Sequence, residues 1–283
     1  MAEKMKDIKR RIHSVSSIRQ ITNAMELVST SKMRKTRMRL EATRPYYTTV
    51  INNINELLSV TGGVNTALTK VRDVKSTLHI IISSDRGLAG GFSGNIAKYA
   101  AENIDKEHDL LITLGSRAYE YFNKRGYNIK DKFFGISEEF EFANSKYISE
   151  IALKMYESSE IDALRVVFTS FKSALSQIPS EIKLLPATDF KKSEDAKLEV
   201  ITYEPSAEEM LDFLIKEYVS IAIYGAMIES SASEQSARMQ SMKNATESAD
   251  EMIDELSMHY NRARQASITQ ELTEIVSGAE ALN

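Results

Sequence analysis

SAEEMLDFLIKEYVSIAIYGAMIESSASEQSARMQSMKNATESADEMIDELSMHYNRARQA, residues 206–266, contains a single glycine and no proline. Leu211, Leu214, Tyr218, Ile221, Gly225, Ile228, Ala232, Gln235, Met239, Met242, Thr246, Ala249, Ile253, Leu256, Tyr260 and Ala263 recur in it at alternating steps of three and four. A repeat of 3.5 residues on a helix of natural period 3.6 imposes a left-handed supercoil on a partner helix. The start is marked by Ser206 with Glu209 three residues on, the pattern of a capping box. A helix from Ser206 to about Ser277 rises roughly 105 Å at about 1.5 Å per residue, more than a globular domain of this mass can bury. The seam therefore predicts a projecting coiled coil. Its small and polar positions suit close packing against a different helix. Gly225 costs about 1 kcal/mol relative to alanine there and predicts close backbone approach. Met239, Met242, Met252 and Met258 are expected as adaptable core.

The partner is at the other end of the chain. No glycine or proline occurs from Ala2 to Arg44, and Ile8, Ile12, Val15, Ile18, Ile21, Met25 and Val28 form an apolar stripe at steps of three and four. Pro45 is expected to kink this helix, because its ring clashes with the preceding turn. The pattern resumes at Val50, Ile54, Leu57 and Leu58 and ends at Thr61-Gly62-Gly63. Charge supports the pairing. Residues 1–44 hold 12 Lys or Arg against four Asp or Glu, a net of +8, whereas residues 204–283 hold five against 15, a net of -10.

Between the helices the pattern changes. Apolar runs at Leu78–Ser83, Leu110–Leu114, Arg165–Phe171, Ile182–Leu185 and Leu198–Tyr203 read as strands, alternating with helical stretches at 95–106, 117–125 and 145–159. Continuous apolar strands separated by helices point to a small Rossmann-like α/β domain with a mainly parallel sheet. The fold class is thus α/β: an antiparallel left-handed coiled coil of the terminal helices with a central α/β domain. Its expected parts are residues 1–60, 73–203 and 206–283.

Composition bounds the chemistry. At 283 residues, 42% hydrophobic and 27% charged, the chain is expected to fold as one or two soluble domains. No run of about 18 uncharged apolar residues is present to span a membrane. Cysteine is absent, which excludes disulfides, thiolate metal sites and a cysteine nucleophile. His13, His79, His108 and His259 lie in separate segments without metal-ligand spacing. The glycine-rich loop Ser84–Gly94 sits after a strand and before a helix, where nucleotide folds hold phosphate. It lacks GxGxxG and GxxxxGK[ST], and Asp85 would repel a phosphate, so a structural turn is the expectation. Neither catalytic residues, cofactor nor metal is expected.

Residues 21–35 (ITNAMELVSTSKMRK), 84–93 (SDRGLAGGFS), 229–246 (ESSASEQSARMQSMKNAT) and 260–282 (YNRARQASITQELTEIVSGAEAL) together resemble the hallmark segments of F-type ATP synthase gamma subunits, end to end and in order. The loop departs from the family's frequent SDRGLCGGFN at Ala89 and Ser93. The resemblance implies a non-catalytic central-stalk rotor. Its terminal coiled coil turns inside a hexamer of alpha and beta subunits, and its α/β domain sits by the epsilon subunit and the membrane c-ring. It further implies coupling contacts to beta at Met25, Lys32, Arg34 and Lys35, and at Arg264, Gln265, Thr269 and Glu271. Foot contacts to the ring or epsilon are implied at Tyr203, Glu204 and Glu208. It implies a peripheral place on the cytoplasmic side of a bacterial plasma membrane, held there only through partners. Two rival readings are a nucleotide-binding enzyme at residues 73–203 and a coiled-coil organiser whose basic helix binds nucleic acid. The acidic partner helix argues against the second.

Overall fold

The long apolar periodicities at both ends become two long helices in the computed structural model, which describes residues 2–61, 64–135, 141–188, 190, 204 and 206–280. Helix α1 runs Ala2–Val60 and continues through Pro45, and helix α5 runs Ala207–Glu280. The Glu209 amide donates to Ser206 Oγ at 3.2 Å, so the expected cap opens α5. Between them lie β1 (Thr77–Ile82), α2 (Phe92–Asn103), β2 (Leu110–Leu114), α3 (Ser116–Asn123), β3 (Ile129–Phe133), α4 (Phe142–Glu157), β4 (Ala163–Ser173) and β5 (Ser176–Leu185). Two compact units emerge: Met1–Ser29 with Arg238–Asn283, and Thr30–Ala237.

In the unit of residues 30–237 the sheet order is β3-β2-β1-β4-β5. The first four strands are parallel to their neighbours and β5 runs antiparallel to β4, so the sheet is mixed. The two faces of the sheet have different cores. Leu78, Ile80, Ile112, Val166 and Leu184 pack with Ile148 and Tyr156 of α4, Ile54 and Leu57 of α1, and Leu211, Ile215 and Val219 of α5. On the other face Ile81, Leu111 and Val167 pack with Ile96, Ala100, Ala118 and Phe122 of α2 and α3. Burial on both faces is why β1, β2 and β4 read as continuous apolar runs.

Two strand expectations change, and a third falls outside the described residues. Strand β3, IKDKF, was missed: it is an edge strand whose side chains alternate between half-buried and exposed, with charges on the open side. Strand β5 begins at Ser176 rather than Ile182, because its outer half lies along α5 and needs no apolar run. The strand expected at Leu198–Tyr203 lies outside the described residues, as do Gly62 and Gly63.

In the unit of residues 1–29 and 238–283 the helices are antiparallel. Thr246 Oγ1 donates to Thr22 Oγ1 at 2.8 Å, and Arg19 pairs with Asp250 one turn along. On α5 the expected seam holds, with Met242 and Ala249 buried. On α1 it shifts. Ile18, Ile21 and Val28 are 51, 59 and 56% exposed, whereas Thr22 and Ser29 are 9 and 2% exposed. The reason is periodicity: the series 8-12-15-19-22-26-29 keeps steps of four and three, whereas 15-18-21 takes two threes in succession and slides off the contact face. Met252 and Met258, expected in the core, lie off the seam of α5 and are exposed.

Candidate functional site

The segment ESSASEQS turns out to be a clamp between α5 and the β4–β5 hairpin. Small side chains let the helix lie close to the strands, and their hydroxyls then reach the backbone. Ser233 Oγ donates to the Thr169 carbonyl at 3.0 Å, and Ser236 Oγ to the Ala174 carbonyl at 2.7 Å. Glu229 Oε1 accepts from Ser170 Oγ at 2.7 Å and from the Phe171 amide at 3.0 Å. Gln177 Nε2 completes the row by donating to Ser236 Oγ at 3.4 Å. Such a run of buried polar groups is tolerable because Glu229, Ser233 and Ser236 find partners on the hairpin, although the Ser230 hydroxyl is buried without one. Sequence reasoning took the segment as a signature without seeing this role. The signal was available in its run of serines, too small and too polar for a coiled-coil seam.

The loop after β1 is likewise a structural knot. Asp85 Oδ1 accepts the Ser116 amide at the start of α3, Oδ2 accepts the Gly135 amide beyond β3, and the Ser116 hydroxyl returns to the Asp85 carbonyl at 2.8 Å. One carboxylate thus ties together the ends of three parallel strands. It thereby caps the start of α3 with a fixed negative charge in the loop that leads from β1 to α2. Gly115 has φ 98°, and a Cβ there would meet the Ser83 carbonyl oxygen at 2.5 Å, so the turn demands glycine.

A buried ionisable row crosses the same sheet. His79 Nε2 lies 3.3 Å from Asp109 Oδ2, and its Nδ1 lies 3.8 Å from Glu181 Oε2. Arg165 pairs with Glu181, while Asp109 also accepts the Thr77 and Asp105 amides. Burial lowers the His79 pKa, outweighing the attraction of Asp109 and Glu181. The row lies on the face of the sheet that packs against α2. Among the described residues no group of three or more His, Asp or Glu has the geometry of a metal site.

The implied coupling residues fall on exposed helix surface. Lys32, Arg34 and Lys35 project from α1, and Met25 is half-buried beside its seam. On α5, Arg264, Gln265, Thr269 and Glu271 are exposed. Thr269 Oγ1 donates to the Gln265 carbonyl at 2.9 Å, and Glu271 Oε1 accepts from Ser267 Oγ at 3.3 Å. The antiparallel register set by Thr22–Thr246 and Arg19–Asp250 runs out of α1 opposite Ser267. Beyond it, among the described residues, no helix runs beside α5, and Ile268, Leu272, Ile275 and Val276 are exposed. Of the foot residues, Glu204 and Glu208 are exposed, whereas Tyr203 lies outside the described residues.

A family model described as ATP synthase matches residues 4–282. The ATP synthase gamma chain of Alkaliphilus metalliredigens is 46% identical over 98% of both chains. The sodium ion specific gamma chain of Acetobacterium woodii is 44% identical over the whole of both. Among solved structures, a chain of the Tetrahymena thermophila mitochondrial ATP synthase central stalk and c-ring is 25% identical, with a TM-score of 0.63 over 80% of this chain and 99% of that one. A chain of the Euglena gracilis mitochondrial ATP synthase covers all of this chain and 95% of its own with a TM-score of 0.73; at 18% identity it speaks for the fold alone. A sequence match from end to end, and a fold shared with the central stalk, make the chain a member of the ATP synthase family, as one of its gamma chains.

Proposed function

We propose that the coupling contacts of this gamma chain are the exposed faces of its terminal helices, used as a rotor turns them past its neighbours. As a gamma chain it is the central-stalk subunit of a rotary F-type ATP synthase, a part with no catalysis of its own. Its task is to link ion flow, proton or sodium, through the membrane ring to ATP chemistry on other subunits. A ligand without catalytic groups can do this by binding one conformation of its neighbour better than another. The neighbours are alternating alpha and beta subunits around the helices, with epsilon and the c-ring at the foot, where Tyr203, Glu204 and Glu208 stand.

The observation that carries this reading is the end of α5. After Ser267 it has no partner helix among the described residues, yet it alternates polar groups with exposed Ile268, Leu272, Ile275 and Val276. Arg264, Gln265, Thr269 and Glu271 supply hydrogen bonds that form in one rotary position and break in the next, each worth about 1.5–3 kcal/mol when a charge is involved. Met25, Lys32, Arg34 and Lys35 play the same part on α1. The placement is the cytoplasmic side of a bacterial plasma membrane, held by partners: the relatives' sources are bacterial, and no described helix is long and apolar enough to cross a membrane.

The decisive experiment reconstitutes the chain with alpha and beta subunits. Arg264→Leu with Gln265→Leu is expected to leave assembly intact and lower ATP turnover. Wild-type turnover with normal assembly removes these side chains from the contact.

A further inference from the structure

Within the unit of residues 30–237, α1 and α5 leave a gap over the ends of β4 and β5. The cavity has a volume of about 260 Å³, and its wall includes Leu40, Arg44 and Tyr47 of α1, Phe168 and Ile182 of the sheet, and Gly225 of α5. Pockets that hold drug-sized molecules run from about 300 to 1,000 Å³, so this one suits a smaller ligand.

Two observations mark it as more than a packing fault. Gly225 stands inside a long helix, yet a Cβ built on it meets nothing within 4 Å, so no neighbouring backbone requires the glycine. The expectation of close approach at this position therefore fails. What the missing side chain does is keep the cavity open. The second observation is electrostatic. Arg44, at the rim, has no ion-pair partner among the described residues. Glu229, which lines the same cavity, is held against β4, where its Oε1 accepts from the Ser170 hydroxyl and the Phe171 amide. An unpaired guanidinium beside an apolar hollow with aromatic walls selects a flat apolar body carrying one carboxylate.

We propose that this cavity binds a small aromatic monocarboxylate, its rings against Tyr47 and Phe168 and its carboxylate on Arg44. The rotor reading needs no such ligand, and the two stand or fall separately. A bound ligand touches α1, the sheet and α5 at once, so it would stiffen that unit and raise its melting temperature by mass action.

The test titrates the full chain with 2-naphthoate by calorimetry. Saturable one-to-one binding is expected below about 1 mM. Arg44→Gln should weaken it by about tenfold or more, and uncharged 2-naphthamide should bind the wild type no better than the acid binds that variant. Gly225→Leu should abolish binding while melting no lower than wild type, since leucine favours the helix. Photolabelling of the wild type with an azido-naphthoate needs no variant and should mark residues 40–47 or 221–229. Absence of saturation at several millimolar, unchanged binding in Gly225→Leu, or labelling elsewhere overturns the proposal.

Discussion

Single side chains in this molecule matter most where they tie separate strands together. Asp85 holds two backbone amides from different loops, and its truncation leaves both without an acceptor. The Gly135 bond is exposed, so water can replace it, while the Ser116 bond is part-buried; Asp85→Ala is therefore expected to lower unfolding free energy by about 1–3 kcal/mol, measured by urea denaturation. His79 gives a pH signature. Its folded pKa is lowered by burial below the ordinary 6.5, so the unfolded chain takes up the proton first as pH falls. Stability is therefore full above about 6.5 and declines as pH drops through that value toward the folded pKa. His108 has the opposite sign, since its hydrogen bond to Asp105 raises its pKa, but it is fully exposed and screened. Replacing His79 with Leu should flatten the slope of stability between pH 7 and 6, whereas His108→Gln should leave that slope nearly unchanged. Asp85 was visible in the sequence as a misfit for phosphate. The partners of His79 were not, because Asp109, just before β2, and Glu181 in β5 are distant in sequence and only the sheet register brings them together.

At the level of elements, what could be read in advance depended on whether burial left a periodic trace. Strands β1, β2 and β4 did so because both their faces are covered. The seam of α5 did so because its apolar and small residues keep a 3.5-residue step. On α1 the trace misled: Ile18, Ile21 and Val28 are apolar yet face outward, while Thr22 and Ser29 face α5. Hydrophobicity alone assigned the wrong face, and a strict count of fours and threes would have found the right one. The absence of native cysteine allows a direct check. Cysteines at Thr22 and Thr246 are expected to cross-link on mild oxidation, and the pair Ile21 with Thr246 is not. Efficient cross-linking of the second pair would restore the original stripe. The serine clamp makes a further claim. Ser233→Leu should destabilise by about 1–3 kcal/mol through overpacking against β4, although leucine is the better helix former.

For the molecule as a whole, the end of α5 separates folding from coupling. Ile268, Leu272, Ile275 and Val276 beyond Ser267 are exposed, so removing 268–283 is expected to leave the melting temperature of the chain within about 2 °C of wild type. The same truncation should reduce ATP turnover and torque of the reconstituted complex, because the apolar tip and Thr269 and Glu271 go with it. A large loss of melting temperature would mean that the tail is held by this chain rather than by its neighbours. This division was only half legible. The tail motif announced the family, but its exposure follows from the register of Thr22 with Thr246, which no local pattern fixes.

That register also sets a schedule for synthesis. Thr22 and its partner are separated by 224 positions along the chain, so the first helix leaves the ribosome long before the last one exists. At about 5–20 residues per second the wait is on the order of 10–45 s. For that interval the groove that α5 will fill is open to proteases and to the wrong helices of other nascent chains. A ribosome-bound chain arrested before residue 238 should be clipped within residues 2–29, and one arrested after the last helix has emerged should resist.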